Sequence, residues 1–224
     1  MSTDTGFGQV RFFDDFLGDT LNTDPWAAAS TNSATAFAIS AQVNGVVRGT
    51  VTNNSSNDLS VLYGELNWQA DDGGPLIFEA RCAIITSLSQ QIYIGLSDEK
   101  TTEKPMDYNG GTLTTTATNA AGFYYAGGEA SATWRYGGVK AGADTTHYAV
   151  ASRLNPVLST FQTFRVVVNA DGAASFYING EIVKENLANA VTASTSLLPY
   201  FSIADDGAAG SLDVDFCFMS KGRA

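Results

Sequence analysis

A chain of 224 residues is long enough to bury a sizeable core, and it fits one large all-β domain or two small ones. Its formal charge of −11 speaks against nucleic acid and against an anionic membrane surface, since both need clustered Lys and Arg that the sequence lacks. Charged residues are 16% of the chain, where about a quarter is usual, so much of the surface must be Ser, Thr, Asn, Gln, Gly and Ala, the texture of a face that packs against something.

The start, Met1-Ser2-Thr3-Asp4, lacks the basic residues and apolar run of a signal peptide, and no stretch approaches the ~18 apolar residues of a membrane span. Synthesis and folding in the cytoplasm are therefore expected, with residues 1–9 forming a short arm. A first strand is predicted over 10–16. Gly18, Asn22 and Asp24-Pro25 then mark a loop that delivers Trp26 to the fold. Weaker alternating strands follow at 37–43 and 46–51, joined at Asn44-Gly45. Residues 53–58 read as a polar loop, 59–63 and 66–68 as short strands, 71–75 as a turn, and 76–85 and 91–97 as strong strands.

From Asp98 to Thr112 the chain changes character. Asp98 to Met106 is its most charged stretch, and Asn109-Gly110-Gly111-Thr112 extends it into a long loop of the kind that is usually functional or mobile. Three strands are predicted beyond it, at 123–125, 132–136 and 147–151. The clearest element comes next. Phe164, Val166 and Val168 share one face of a period-two pattern, Asp171-Gly172 turns the chain, Phe176 and Ile178 resume that face, and Asn179-Gly180 turns it again into Ile182-Val183. A polar connection at 188–195, a strand at 199–203, a turn at Asp205-Asp206-Gly207 and a last strand at 212–218 complete the chain. No ten residues show clean helical spacing. One domain over 1–224, a two-sheet antiparallel β-sandwich, is expected.

Strand parity places Cys82 inward with Phe78, Ala80 and Ile84. The same reasoning sets Leu212, Val214, Phe216 and Phe218 inward and turns Cys217 outward beside Asp213 and Asp215. Opposite faces disfavour a disulfide, and the spacing matches no metal site, so two free thiols are expected.

The opening Phe13-Asp14-Asp15-Phe16-Leu17-Gly18-Asp19-Thr20-Leu21 with Trp26, the Phe164 to Gly180 hairpin, and the closing Leu212-Asp213-Val214-Asp215-Phe216 together resemble the concanavalin A-like lectin and glucanase superfamily. The variant most similar is the laminin-G-like protein found among tailed-bacteriophage virion genes. That resemblance implies a jelly-roll of two curved sheets with the first and last strands adjacent. It also implies a role in the capsid or tail.

Because such a fold hosts both enzymes and binders, chemistry has to be sought in the residues. Glucanases of this superfamily carry Glu-x-Asp-x-x-Glu on one strand, since retaining hydrolysis needs two carboxylates about 5 Å apart on one face. Nothing here matches. The nearest arrangement is Asp213 and Asp215, read as a solvated or edge-protecting face. Asp14 and Asp15 point to opposite faces, and Asp98, Glu99 and Glu103 lie in the long loop. The only histidine, His147, has no Gly-x-Ser-x-Gly elbow to work with. No catalytic residue is assigned.

Calcium, which lectins of the superfamily often hold, has two weak candidate sites, Asp71-Asp72-Gly73 and Asp205-Asp206-Gly207, and turn formation explains both sequences. No other metal or cofactor is indicated. For glycans, Tyr124, Trp134 and Tyr136 could share a concave face and stack sugar rings while Arg135, Asn119 or Asp144 binds hydroxyls; the bland reading of these aromatics is sandwich core or subunit interface. The leading expectation is a non-enzymatic virion protein, a capsid decoration, cement or head-fibre subunit. It would form homo-oligomers, such as trimers, and contact the major capsid protein through the 98–112 loop or the N-terminal arm. A carbohydrate-binding tail or adsorption protein is the alternative, and a glycoside hydrolase the third.

Overall fold

The computed structural model describes residues 8–42, 45–53, 58–65, 67–130, 132–145 and 148–223. In chain order the strands begin with β1 (Gln9–Asp14), β2 (Trp26–Thr31), β3 (Thr35–Ile39), β4 (Val47–Val51), β5 (Leu59–Gly64), β6 (Leu76–Ile85) and β7 (Gln90–Ser97). The middle of the chain gives β8 (Met106–Asn109), β9 (Thr112–Thr115), β10 (Ala120–Ala126), β11 (Trp134–Lys140), β12 (Ala143–Asp144) and β13 (Tyr148–Ala149). Last come β14 (Gln162–Val168), β15 (Ala174–Ile178), β16 (Glu181–Leu187), β17 (Leu198–Asp205) and β18 (Gly210–Gly222). Helix among the described residues amounts to one 3-10 turn at Ser152–Leu154, so no helix is long and apolar enough to cross a membrane.

The strands form two antiparallel sheets of eight and a separate two-stranded hairpin. Sheet I runs β16-β15-β14-β6-β18-β4-β3, with β1 paired to the C-terminal half of β18, so the first and last strands are neighbours. Sheet II runs β12-β11-β10-β7-β17-β5-β2, with β13 beside β11. Between the sheets lies one core that includes Trp26, Phe78, Ile94, Phe123, Trp134, Phe164, Phe176 and Phe201, all almost fully buried. The β14-β15-β16 meander follows the sequence pattern closely. Asp171 Oδ1 accepts the Ala173 amide hydrogen bond at 2.9 Å, and Asn179 and Gly180 both adopt positive φ, 53° and 79°, the geometry of a tight hairpin turn.

Several expectations need correction. The stretch after Trp26, left unassigned from sequence, is a strand: Ala27, Ala28 and Ala29 have no periodicity of their own, and β2 exists because β5 pairs with it. The strand expected at 37–43 stops at Ile39, and residues 43 and 44 lie outside the described set, as do residues 1–7 of the expected arm, Leu66 and His147. Cys217 faces inward. The register of β18 against β6 slips between Val214 and Phe216, a bulge at Asp215 that flips the parity of everything after it, so Cys217 and Met219 enter the core while Phe216 and Phe218 turn out. Cys82 and Cys217 are thus both buried and inward-facing, as free thiols. Burial pushes both pKa values well above the usual thiol range.

Candidate functional site: the outer face of sheet II and its cover

The face of sheet II turned away from the core carries a second, smaller apolar cluster. Outward positions on its four central strands are Leu59, Val61 and Tyr63 on β5, Gln91, Tyr93, Gly95 and Ser97 on β7, Ala120, Gly122, Tyr124 and Ala126 on β10, and Leu198, Tyr200, Ser202 and Ala204 on β17. None of these is a carboxylate. The charged stretch at 98–112, expected to be a free loop, folds back instead as the β8-β9 hairpin and lies over this face, burying Met106, Leu113 and Ala117 against it.

Specific polar contacts fix the cover. The Tyr200 hydroxyl reaches the carbonyl oxygens of Thr101 and Glu103, both at 2.7 Å, so a strand residue pins the loop backbone. At the neck, Asp98 accepts from the Thr118 amide at 3.1 Å and from Asn119 Nδ2 at 3.2 Å, while the Asp98 amide donates to the Asn119 carbonyl at 2.9 Å. Asn119 Oδ1 accepts from the Thr192 amide at 2.8 Å, tying the neck to the 188–195 connection. The Arg135 guanidinium lies 4.0 Å from the ring centroid of Tyr108, which packs on Tyr124. Tyr93 donates to the Leu96 carbonyl at 2.6 Å. Burial raises the pKa values of Tyr93, Tyr124 and Tyr200, so all three stay neutral well above the ordinary phenol range.

The aromatic platform expected from sequence does not form. β10 pairs with β11 so that Tyr124 is opposite Arg135 and Phe123 opposite Tyr136. Residues directly opposite share a face, so Tyr124 points out while Trp134 and Tyr136 point in. Trp134 packs edge-on against Phe164 at 4.8 Å and donates to Gln162 Oε1 at 3.0 Å; Tyr136 packs on Phe176 and stacks with the exposed Tyr148. Of the expected hydroxyl binders, Asn119 is consumed in the neck, Arg135 covers Tyr108, and Asp144 is exposed on the short edge strand β12.

Nor are Asp213 and Asp215 a solvated or edge-protecting pair. β18 is an interior strand, and Asp213 is 1% exposed, gripped by Arg48 through two contacts of 2.5 and 2.7 Å and by Gln42 at 3.1 Å. Asp215, at the bulge, pairs with Arg81 on the other neighbouring strand. Each carboxylate is neutralised by its own guanidinium. The two acidic turns are occupied by turn formation and local pairing: Asp205 Oδ1 accepts the amides of Gly207 and Ala208, Asp206 accepts from the Gly128 amide, and Asp72 pairs with Lys221. Among the described residues no cluster of three or more His, Cys, Asp or Glu side chains could hold a metal ion.

On this side a groove of about 570 Å³ opens where the cover meets the ends of β5 and β17, lined by Thr31, Leu59, Thr102, Lys104, Asp107 and Thr116 among others. Lys104 Nζ lies 2.6 Å from Asp107 Oδ2, and Asp107 Oδ1 is buried with no hydrogen-bond partner among the described residues. Sequence reasoning missed the cover and the groove. The available signal was the pair Pro105-Met106 with Leu113 and Ala117, apolar residues that an exposed loop has no use for.

No family model matches the chain, and no curated protein matches it in sequence. Solved structures do match its shape. A Bacillus licheniformis beta-glucanase superposes with a TM-score of 0.66 at 11% identity, covering 93% of this chain and 97% of the other. The carbohydrate recognition domain of Emp47p gives 0.63 at 10% identity, with 98% and 99% covered. The endo-beta-1,3-glucanase from Pyrococcus furiosus gives 0.67 at 13% identity, with 95% and 94% covered. The fold is therefore the concanavalin A-like jelly-roll shared by glucanases and lectin domains. At such identities the likeness concerns the fold alone.

Proposed function

We propose that the protein is a non-enzymatic structural subunit that decorates or cements a tailed-phage virion. The observation that carries this reading is the closed outer face of sheet II: its central strands offer no carboxylate, and the protein's own hairpin lies over them. Retaining glycoside hydrolysis requires a pair of carboxylates about 5 Å apart, and the nearest pair in the sequence is tied up with Arg48 and Arg81. The sparsely charged exterior supports the same reading, since Ser, Thr, Gly and Ala lose little solvation when packed against a lattice. The test is co-sedimentation of purified protein with undecorated phage heads. Retention at a fixed stoichiometry is expected; no retention, together with release of reducing ends from β-glucans, overturns the reading.

One observation favours a second reading, carbohydrate binding. The groove beside the cover is lined by threonine side chains and by the Lys104–Asp107 pair, polar groups of the kind that hydrogen-bond sugar hydroxyls. Glycan-array binding that disappears in Asp107→Ala with unchanged melting temperature would establish it. A blank array dismisses it.

A further inference from the structure

In-register antiparallel pairing sets the outward residues of sheet I in transverse rows. One row runs Phe13, Phe218, Glu79, Arg165, Tyr177, Ile182 across β1, β18, β6, β14, β15 and β16. Its two ends are large exposed hydrophobics, Phe13 at 58% and Ile182 at 47% exposure. From either end inward the row presents the same chemistry: an apolar side chain, an aromatic ring, then a charge, and the two charges are of opposite sign. A two-fold axis lying in the face, parallel to the strands and between β6 and β14, reverses the order. It sets Phe13 on the partner's Ile182, Phe218 on the partner's Tyr177, and Glu79 on the partner's Arg165. In the adjacent row Ile77 and Val167 flank the axis, so Ile77 meets the partner's Val167, while Ser220 and Ser175 beside them are nearly buried.

We propose that the outer face of sheet I docks a second copy of this chain as an isologous dimer in that register. Charge supports the choice of occupant. On β1, β18, β6 and β14 the outward charged residues are Arg11, Arg81 and Arg165 against Glu79, Asp213 and Asp215, three minus three, or 0; the edge strand β16 adds Glu181, Lys184 and Glu185, for −1 in all on a chain of net −11. Two copies can meet here without the repulsion their remaining surfaces impose. Glu79 and Arg165 already pair within one copy, so docking closes a four-charge square. Exposed Phe with Arg is the composition of interface cores. Six strands at about 4.8 Å spacing and seven residues in length give a footprint on the order of 650 Å² per copy, against roughly 800 Å² for a standard interface.

The inference deepens the assembly reading above by naming the face a subunit uses. Its test is sedimentation velocity on the full chain across the micromolar range, with circular-dichroism melting to confirm that each variant is folded. The wild type is expected to dimerise. Arg165→Glu or Glu79→Arg alone places like charges across the axis and should weaken dimerisation by about tenfold or more; the double swap should restore it, and Phe13→Asp should abolish it. A wild type that stays monomeric overturns the inference, as does a dimer indifferent to these substitutions. Dimerisation with no binding to phage heads leaves this interface standing and removes the virion assignment, while head binding by a monomer does the reverse.

Discussion

Replacing Arg48 with Met tests how the acidic residues of β18 are used. In the native protein the Arg48 guanidinium makes two contacts with Asp213, at 2.5 and 2.7 Å, and the Asp213 side chain is 1% exposed. Removing one partner of a buried ion pair typically costs about 3 to 5 kcal/mol, because the other charge stays in a poor solvent. Arg48 is itself 32% exposed and Gln42 keeps one hydrogen bond to Asp213, so the low end, about 3 kcal/mol, is expected. For a chain of this size that corresponds to a fall in melting temperature of roughly 6 to 12 °C. Removing both charges with Arg48→Met/Asp213→Leu should recover most of the loss, since an apolar pair of similar volume is often neutral. Urea denaturation of the two variants and the wild type measures all three values. A loss below about 1 kcal/mol for Arg48→Met would mean that Asp213 is solvated after all, and its availability for chemistry would have to be reconsidered.

Two further outcomes follow from the packing. Tyrosine ionisation followed by ultraviolet absorbance should leave Tyr93, Tyr124 and Tyr200 protonated well above the ordinary phenol range. Their folded pKa values are raised by burial, so the stability they contribute is intact below the unfolded value of about 10 and declines as pH rises past it; full native-state titration of every tyrosine near pH 10 would contradict this. Trp134→Ala should cost about 3 to 5 kcal/mol through the cavity left beside Phe164 and Tyr125, measurable by denaturant titration, and a fully stable variant would show that the ring is not core.

Where a strand has one buried face and a marked turn, the sequence was readable, as in Phe164 to Ile178 with Asp171-Gly172 and Asn179-Gly180. β2 was not, because alanines carry no alternation and its partner β5 lies about thirty residues further along the chain. The inversion at Asp215 was hidden for a different reason: a bulge is a relation between two strands, and β18 alone shows an unbroken alternation through Phe216 and Phe218. The proposed sugar platform failed on register. Tyr124, Trp134 and Tyr136 are all even-numbered, yet the β10-β11 pairing matches even to odd. The cover over sheet II was obscured by charge. Lys100, Glu103 and Lys104 make the stretch read as solvent-exposed, while Pro105, Met106, Leu113 and Ala117 supply the few apolar contacts that hold it down.

The closed face of sheet II is most directly examined by hydrogen-deuterium exchange of the β8-β9 hairpin and of β10 and β17 beneath it. A hairpin anchored by Tyr200 and by the Asp98 and Asn119 neck should show slow exchange at the paired amides of 106–115, with β10 and β17 protected at the level of the core. Exchange of the whole hairpin at the rate of an unstructured peptide would mean that the tyrosine face is open to ligands.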